Sequence, residues 1–274
     1  MKKRLTRILA LALVMLSILS LAACGGNGGG NAGNGGGTAS GNTGSSGDSG
    51  SAAPAGYKDT LVWAQGADVT SLDPHQGKET PAVEVTCQIF DTLLVVDPET
   101  NELVPQIAES WEQTDELTYV FKIREGIKFH DGSDLTPADV KFSLERAINS
   151  AAVSYIVDFI DTITDNGDGT VTIKTKNPYA PALRNLAIPF AAIVPQAVVE
   201  ADEEHFILNP VGSGPYKFVE WKQGDHVTME AFDGYYAGKA ETQNLIMRVI
   251  PETSQRSIAL ETGEIDLAYD LAVN

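Results

Sequence analysis

Several groups of residues in this 274-residue chain have types and spacings that catalysis, cofactor binding or metal binding can use. Gly28, Gly30 and Gly33 match G-x-G-x-x-G by letter, but that loop holds a pyrophosphate only between a strand and a helix. Here the flanks are glycine, asparagine and serine, so the match is fortuitous. Gly212-Ser213-Gly214 resembles a nucleophile elbow until the G-x-S-x-G spacing is tested, because position 211 is Val and position 210 is Pro. Asp165-Asn166-Gly167-Asp168-Gly169 gathers oxygen ligands, yet aligning Gly169 with the glycine of a calcium loop puts Thr164 first and Thr175 last, and neither is a carboxylate. That segment reads as a hairpin turn. His75, His130, His205 and His226 show no metal-ligand spacing, so no metal and no cofactor is expected. Cys87 falls on a helix expected over Pro81 to Phe90 that offers Glu84 and no Lys, Arg or His, so it is expected to be a buried, unreactive thiol. With no assembled nucleophile, base or metal set, the chain is not expected to be an enzyme.

Met1 to Ala23 carries Lys2, Lys3, Arg4 and Arg7 ahead of an apolar run from Ile8 to Leu21, the pattern of a secretory signal. An uncleaved membrane anchor is the alternative. Leu21-Ala22-Ala23-Cys24 resembles the lipobox of bacterial lipoproteins, which implies cleavage before Cys24 and lipidation of its sulfur. Two or more acyl chains hold a protein stably on a bilayer. Of two cysteines in the chain, Cys87 then has no disulfide partner. Residues 24–56 are rich in glycine, serine and asparagine and cannot bury enough surface to offset ordering entropy. They read as a flexible tether with a root-mean-square reach of about 30 Å.

Formal net charge is −18, and loss of the leader would make the chain more acidic still. Nucleic acid is excluded as a partner, since a phosphate backbone needs a basic footprint.

The elements that must position any site alternate between strand and helix. Strands are predicted at Asp59 to Gln65, Leu93 to Asp97, around Trp111, around Tyr119, Phe121 and Ile123, at Ile160 to Thr164, Thr170 to Thr175, Tyr216 to Trp221, Val227 to Phe232 and Leu245 to Ile250. Tyr119, Phe121 and Ile123 share one face by period-two spacing. Helices are predicted after Thr80, as cap, with Pro81 in first position, and after Thr136 with Pro137 and Asp139 in its first turn. Val140, Leu144, Ala147 and Ile148 give the second an apolar stripe. Leu183 to Ile188, Pro195 to Glu200 and Ser254 to Glu261 are further helical segments. No repeat is visible, and the class is α/β.

Four stretches in this frame resemble the extracellular solute-binding proteins of family 5, the oligopeptide, dipeptide and nickel binders of ABC importers. They are Ser71-Leu72-Asp73-Pro74-His75, then Val104-Pro105-Gln106-Ile107-Ala108-Glu109-Ser110-Trp111, and third Phe121 through Phe129-His130-Asp131-Gly132 to Asp139, Ser143 and Arg146. The fourth is Gly212-Ser213-Gly214-Pro215-Tyr216 with Trp221, Gly224-Asp225, Tyr235-Tyr236 and Gly263-Glu264-Ile265-Asp266. Together they cover nearly the whole body from Thr60 to Asp270. The resemblance implies a type II periplasmic-binding-protein fold, a two-lobe clamp with an extra small lobe, of which this sequence is the N-terminal half. Residues 57–92 and 206–270 would form the incomplete first lobe, 93–205 the small lobe, and 271–274 the start of the crossing to the absent lobe.

The same resemblance implies capture of oligopeptides or dipeptides, delivery to ABC permease subunits, a monomer, and a lipid-anchored place outside the cytoplasm, on a Gram-positive surface. Nickel or another solute, and a peptide-sensing or adhesive lipoprotein, are the alternatives. His130 and Asp131 are expected to be architectural. The cleft is expected at Ala67, Asp68, Val69, Thr70, Tyr269 and Asp270, where Asp68 or Asp270 either pairs with a cationic group or is a solvated surface carboxylate.

Overall fold

A computed structural model describes residues 58–271. The leader at 1–23, Cys24 with the tether at 24–56, and residues 272–274 of the expected crossing lie outside the described residues. Among the described residues no helix is long and apolar enough to cross a membrane.

Strand β1 (Thr60–Gln65) leads through a loop to helix α1 (Thr80–Ile89), then to the small hairpin β2 (Leu94–Val96) and β3 (Leu103–Pro105). A second sheet follows from β4 (Ala108–Gln113), β5 (Thr118–Ile123), β6 (Ile160–Asp165) and β7 (Thr170–Thr175), in the order β4-β5-β7-β6 and antiparallel throughout. Helices α2 (Pro137–Asn149) and α3 (Ser154–Val157) sit between β5 and β6. After β7 come α4 (Ala182–Asn185), a 3-10 turn at Pro189–Ala191, α5 (Gln196–Ala201) and α6 (Glu203–Leu208). The chain closes with β8 (Tyr216–Lys222), β9 (His226–Ala231), β10 (Asn244–Val249), α7 (Thr253–Glu261) and β11 (Leu267–Ala268). These last strands join β1 in a five-stranded sheet of order β11-β1-β10-β9-β8.

Two large hydrophobic cores follow the two sheets, and a small third one joins Ala64 of β1 to Ile250, Ala259 of α7 and Ile265. Tyr119, Phe121 and Ile123 point inward from β5, as their spacing predicts, and meet Val140, Leu144 and Ala147 of α2 with Val171 and Ile173 of β7. Val85 and Ile89 of α1 pack with Val227, Met229, Leu245 and Met247 of the five-stranded sheet. Val194, Val199 and Phe206 belong to this second core, so the chain returns to the large sheet before β8 begins.

Helix α2 starts as its sequence requires. The Thr136 hydroxyl accepts from the Asp139 amide at 3.4 Å, and the Asp139 carboxylate accepts from the Thr136 amide at 2.9 Å, a reciprocal cap under Pro137. Asp139 is buried, and its other oxygen accepts from the Gln196 amide, tying α2 to α5.

Three expectations need correction. Thr80 does not cap α1: Glu79 occupies that position, and its carboxylate bonds the Thr70 amide and hydroxyl instead of the helix. Cys87 is exposed, not buried, because it points away from the stripe made by Ala82, Val85, Thr86 and Ile89; protein around the sulfur still raises its thiol pKa. The segment Leu183 to Ile188 is helical only to Asn185, where Pro189 imposes an extended residue before it. The short α3 and α6 and the two-residue β11 carry too little periodicity to be read in advance.

Candidate functional site

Strands β1, β10 and β11 run parallel, with Ala64 opposite Arg248 and Ala268, so their carboxyl ends open on one edge of the sheet. Ligands of open α/β sheets bind beyond such ends. The loop from Gly66, the turn from Ile250 to Thr253 and the segment from Tyr269 all begin there.

Of the residues predicted for a cleft, Ala67 and Tyr269 are exposed, from adjacent strand ends, and the Tyr269 amide bonds the Ala64 carbonyl at 3.3 Å. Asp270 is exposed with a φ of 55°, and its carbonyl accepts from Arg256 Nη2 at 2.7 Å. Asp68 is half-buried and already engaged. One oxygen accepts from Trp221 Nε1 at 3.0 Å and from the Val69 amide, the other from the Gly224 amide at 2.6 Å. It fastens the loop to the β8–β9 turn. Val69 is buried in the second core, and Thr70 bonds Glu79. The structure thus brings Ala67, Tyr269 and Asp270 to one edge as open surface, with Asp68 and Val69 turned inward as support and Thr70 exposed but tied to Glu79.

Sequence reasoning passed over Arg256, which organises this edge. It is 2% exposed. Nη1 donates to the Ile250 and Pro251 carbonyls at 2.7 and 2.9 Å, and Nη2 to Thr253 and to the Asp270 carbonyl. A Cβ placed on Gly66 would stand 3.2 Å from Nη1, so the guanidinium also lies against the exit of β1. The signal available was a cation on the apolar stripe of α7, three residues before the buried Ala259.

The signature residues turn out to be brackets between distant segments. Asp73 is fully buried and takes Arg146 of α2 in a two-pronged pair, Nη1–Oδ1 at 2.9 Å and Nη2–Oδ2 at 2.5 Å. Nη2 also reaches Glu203 at 2.6 Å. His75 completes the group: Nε2 lies 3.0 Å from the Ala192 carbonyl and Nδ1 2.9 Å from Arg146 Nη1. Burial is the chief reason its pKa falls to about 4. His130 behaves alike, with Nε2 2.9 Å from the Gly214 carbonyl and Nδ1 accepting the Gly212 amide at 3.2 Å, and burial again lowers it to about 4. Its ring meets Phe232 edge to face at 5.0 Å. Gly212 has no room for a side chain, since a Cβ would fall 2.0 Å from the Ile89 carbonyl oxygen. Asp131 accepts from the Ser133 amide and hydroxyl beside Gly132, whose φ is 89°, as a tight turn requires.

This arrangement can hold a solute at an edge; it presents no catalytic constellation among the described residues. No group of His, Cys, Asp and Glu among them is arranged to hold a metal ion.

Comparison with known proteins agrees with that chemistry. The chain is 34% identical over 225 residues to a glutathione-binding protein, GsiB, of Pectobacterium atrosepticum, covering 80% of this chain and 44% of the relative. It is 32% identical over 219 residues to GsiB of Escherichia coli K12, covering 78% of this chain and 42% of the relative. Among solved structures it resembles the ABC transporter-associated periplasmic binding protein DppA of Helicobacter pylori in complex with the peptide STSA, at 29% identity and a TM-score of 0.71 over 77% of this chain and 46% of that one. It also resembles NikZ of Campylobacter jejuni in complex with Ni(L-His), at 31% identity and a TM-score of 0.70 over 77% of this chain and 43% of that one. The chain therefore spans less than half the length of these relatives. Their names describe binding and not catalysis, and the fold they share with this chain is that of the type II periplasmic binding proteins. The family description "Bacterial extracellular solute-binding proteins, family 5 Middle" matches residues 102–274, and the chain belongs to that family.

Proposed function

We propose that the protein captures short peptides outside the cytoplasm and passes them to the permease of an ABC importer. The observation that carries this reading is the open edge at the carboxyl ends of β1, β10 and β11, in a chain more than 30% identical to proteins named for binding glutathione, itself a tripeptide. Main-chain hydrogen bonds from the loops that leave the strand ends suit a peptide backbone and leave its side chains free to vary.

Ala67, Tyr269 and Asp270 supply one wall of the cleft, Asp68, Val69 and Thr70 position it, and hinge closure of a second lobe supplies the other wall. Residues 57–92 and 206–270 form most of the first lobe and 93–205 the smaller one, except that Val194 and Val199 already pack in the core of the first. The five-stranded sheet, drawn wholly from the former, and the four-stranded sheet, drawn wholly from the latter, support this division. The anchor is lipid on Cys24 of a monomer held at the cell surface.

Nickel chelates are the second reading, favoured by the 31% identity to NikZ. Native mass spectrometry of the protein extracted from its own membranes separates the two. Co-purified short peptides are expected. A metal-bound species without peptide would move the proposal to nickel, and an empty protein that ignores added glutathione and tetrapeptides would overturn both. Loss of peptide uptake on deleting the gene separates import from sensing or adhesion.

A further inference from the structure

Asp91 lies where three segments cross, between α1 and β2, and is 2% exposed. Its Oδ1 accepts from Gln106 Nε2 at 2.7 Å, where β3 passes into β4. Its backbone carbonyl accepts from the Ile193 amide at 2.9 Å. From the loop after β9 come Tyr235 and Tyr236, whose rings tilt together with centroids 4.8 Å apart. Their hydroxyls stand near enough to pull the carboxyl toward ionisation, yet Oδ2 and the Tyr236 hydroxyl are buried without an aligned hydrogen-bond partner among the described residues. A buried carboxylate with one oxygen unpaired is costly, and the neutral acid costs less.

The charged and titratable neighbours do not supply the missing partner. Arg124 at the end of β5 stands over the Tyr236 ring at 5.6 Å, and its Nε points to the Gln106 carbonyl. His75 is turned to the Ala192 carbonyl and Arg146. No Lys, Arg or His among the described residues hydrogen-bonds to Asp91. Burial outweighs the tyrosines and pushes the carboxyl up to about 7. Beside the joint is a cavity of about 290 Å³ lined by Gln106, Arg124, Tyr235 and Tyr236.

We propose that Asp91 is a proton-operated latch between the loop after β9 of the five-stranded sheet and the β3–β4 crossing that leads into the four-stranded sheet. Protonated, its Oδ2 hydroxyl donates to the Tyr236 oxygen and the latch is closed. When the proton leaves for solvent, the unpaired anion opens the joint to water through the adjoining cavity. Because the closed state holds the proton more tightly than the open one, closure is favoured at low pH and is lost as pH rises from the ordinary carboxylate range through about 7, with no further loss above that.

The test is a carbon-13 titration of the Asp91 carboxyl in the whole protein, assigned by Asp91→Asn, with hydrogen exchange of the Gln106 and Tyr235 amides corrected for intrinsic rate. The expected inflection is near 7, and opening should rise about 50-fold from pH 5 to pH 7 in the native protein and stay level in Asp91→Asn. Tyr236→Phe, which keeps the carboxyl but removes the oxygen that accepts its proton in the closed latch, should raise opening at pH 5 towards its level at pH 7. An inflection in the ordinary carboxylate range, opening at pH 5 that ignores Tyr236→Phe, or the same exchange profile with and without the carboxyl would each overturn the latch.

Discussion

Acidification from about pH 7.5 to about pH 5 should destabilise the fold through His75 and His130. In each ring Nε2 faces a carbonyl and Nδ1 takes an N–H, from Arg146 in one case and Gly212 in the other. A second proton would have to enter where a donor already points. Burial is the largest cause at both, and both fall from 6.5 to about 4. The unfolded chain therefore binds more protons than the folded one between those values; stability is full above 6.5 and is lost as pH falls through the window. At pH 5 each histidine costs roughly 2 kcal/mol, His130 somewhat less because it is partly exposed, against a total stability of about 5–15 kcal/mol. Asp91 works in the opposite sense, since its raised pKa makes acidification favourable by roughly 2 kcal/mol over the same interval. The native protein should thus lose roughly 2 kcal/mol net, and Asp91→Asn roughly 4. Urea unfolding at both pH values measures this, taking the difference within each protein so that the basal cost of a substitution cancels. His75→Gln and His130→Gln should each remove a large part of the loss. Imidazole protons that titrate near 6.5, or an Asp91→Asn loss no larger than the native one, would refute the reasoning.

Asp73→Asn leaves the Arg146 guanidinium, 13% exposed, with the surface Glu203 as its one carboxylate partner, and should cost about 3 kcal/mol in the same urea assay, well above a surface substitution. Gly212→Ala drives a methyl into the Ile89 carbonyl and should abolish cooperative melting followed by near-ultraviolet circular dichroism, while Gly132→Ala, with open space around it, should cost only the strain of its positive φ.

Much of the frame was legible because period-two strands and capped helices are local. Tyr119, Phe121 and Ile123, the Thr136 cap and the Asp165 to Gly169 hairpin each declare themselves within a few residues. Cys87 was misread because the lack of a basic neighbour in sequence says nothing of which helical face a residue occupies. Asp68 looked like a ligand group because the Trp221 and Gly224 donors that occupy it lie more than 150 residues away. Arg256 and Asp91 escaped notice for the same reason: a buried charge is recognised by its surroundings, and those are assembled by the sheet.

The pairing of β1 with β10 sets a timetable. Thr60 meets Asn244 in register, so the strand made first waits for 184 further residues before its central neighbour exists. At roughly 5–20 residues per second of synthesis, that interval is about 10–40 s. During it no parallel partner from the large sheet can close, whereas β5 and its antiparallel neighbours can already form. Any apparatus that must handle the nascent chain unfolded, a translocation channel or a holding chaperone, has its opportunity written into the position of one strand.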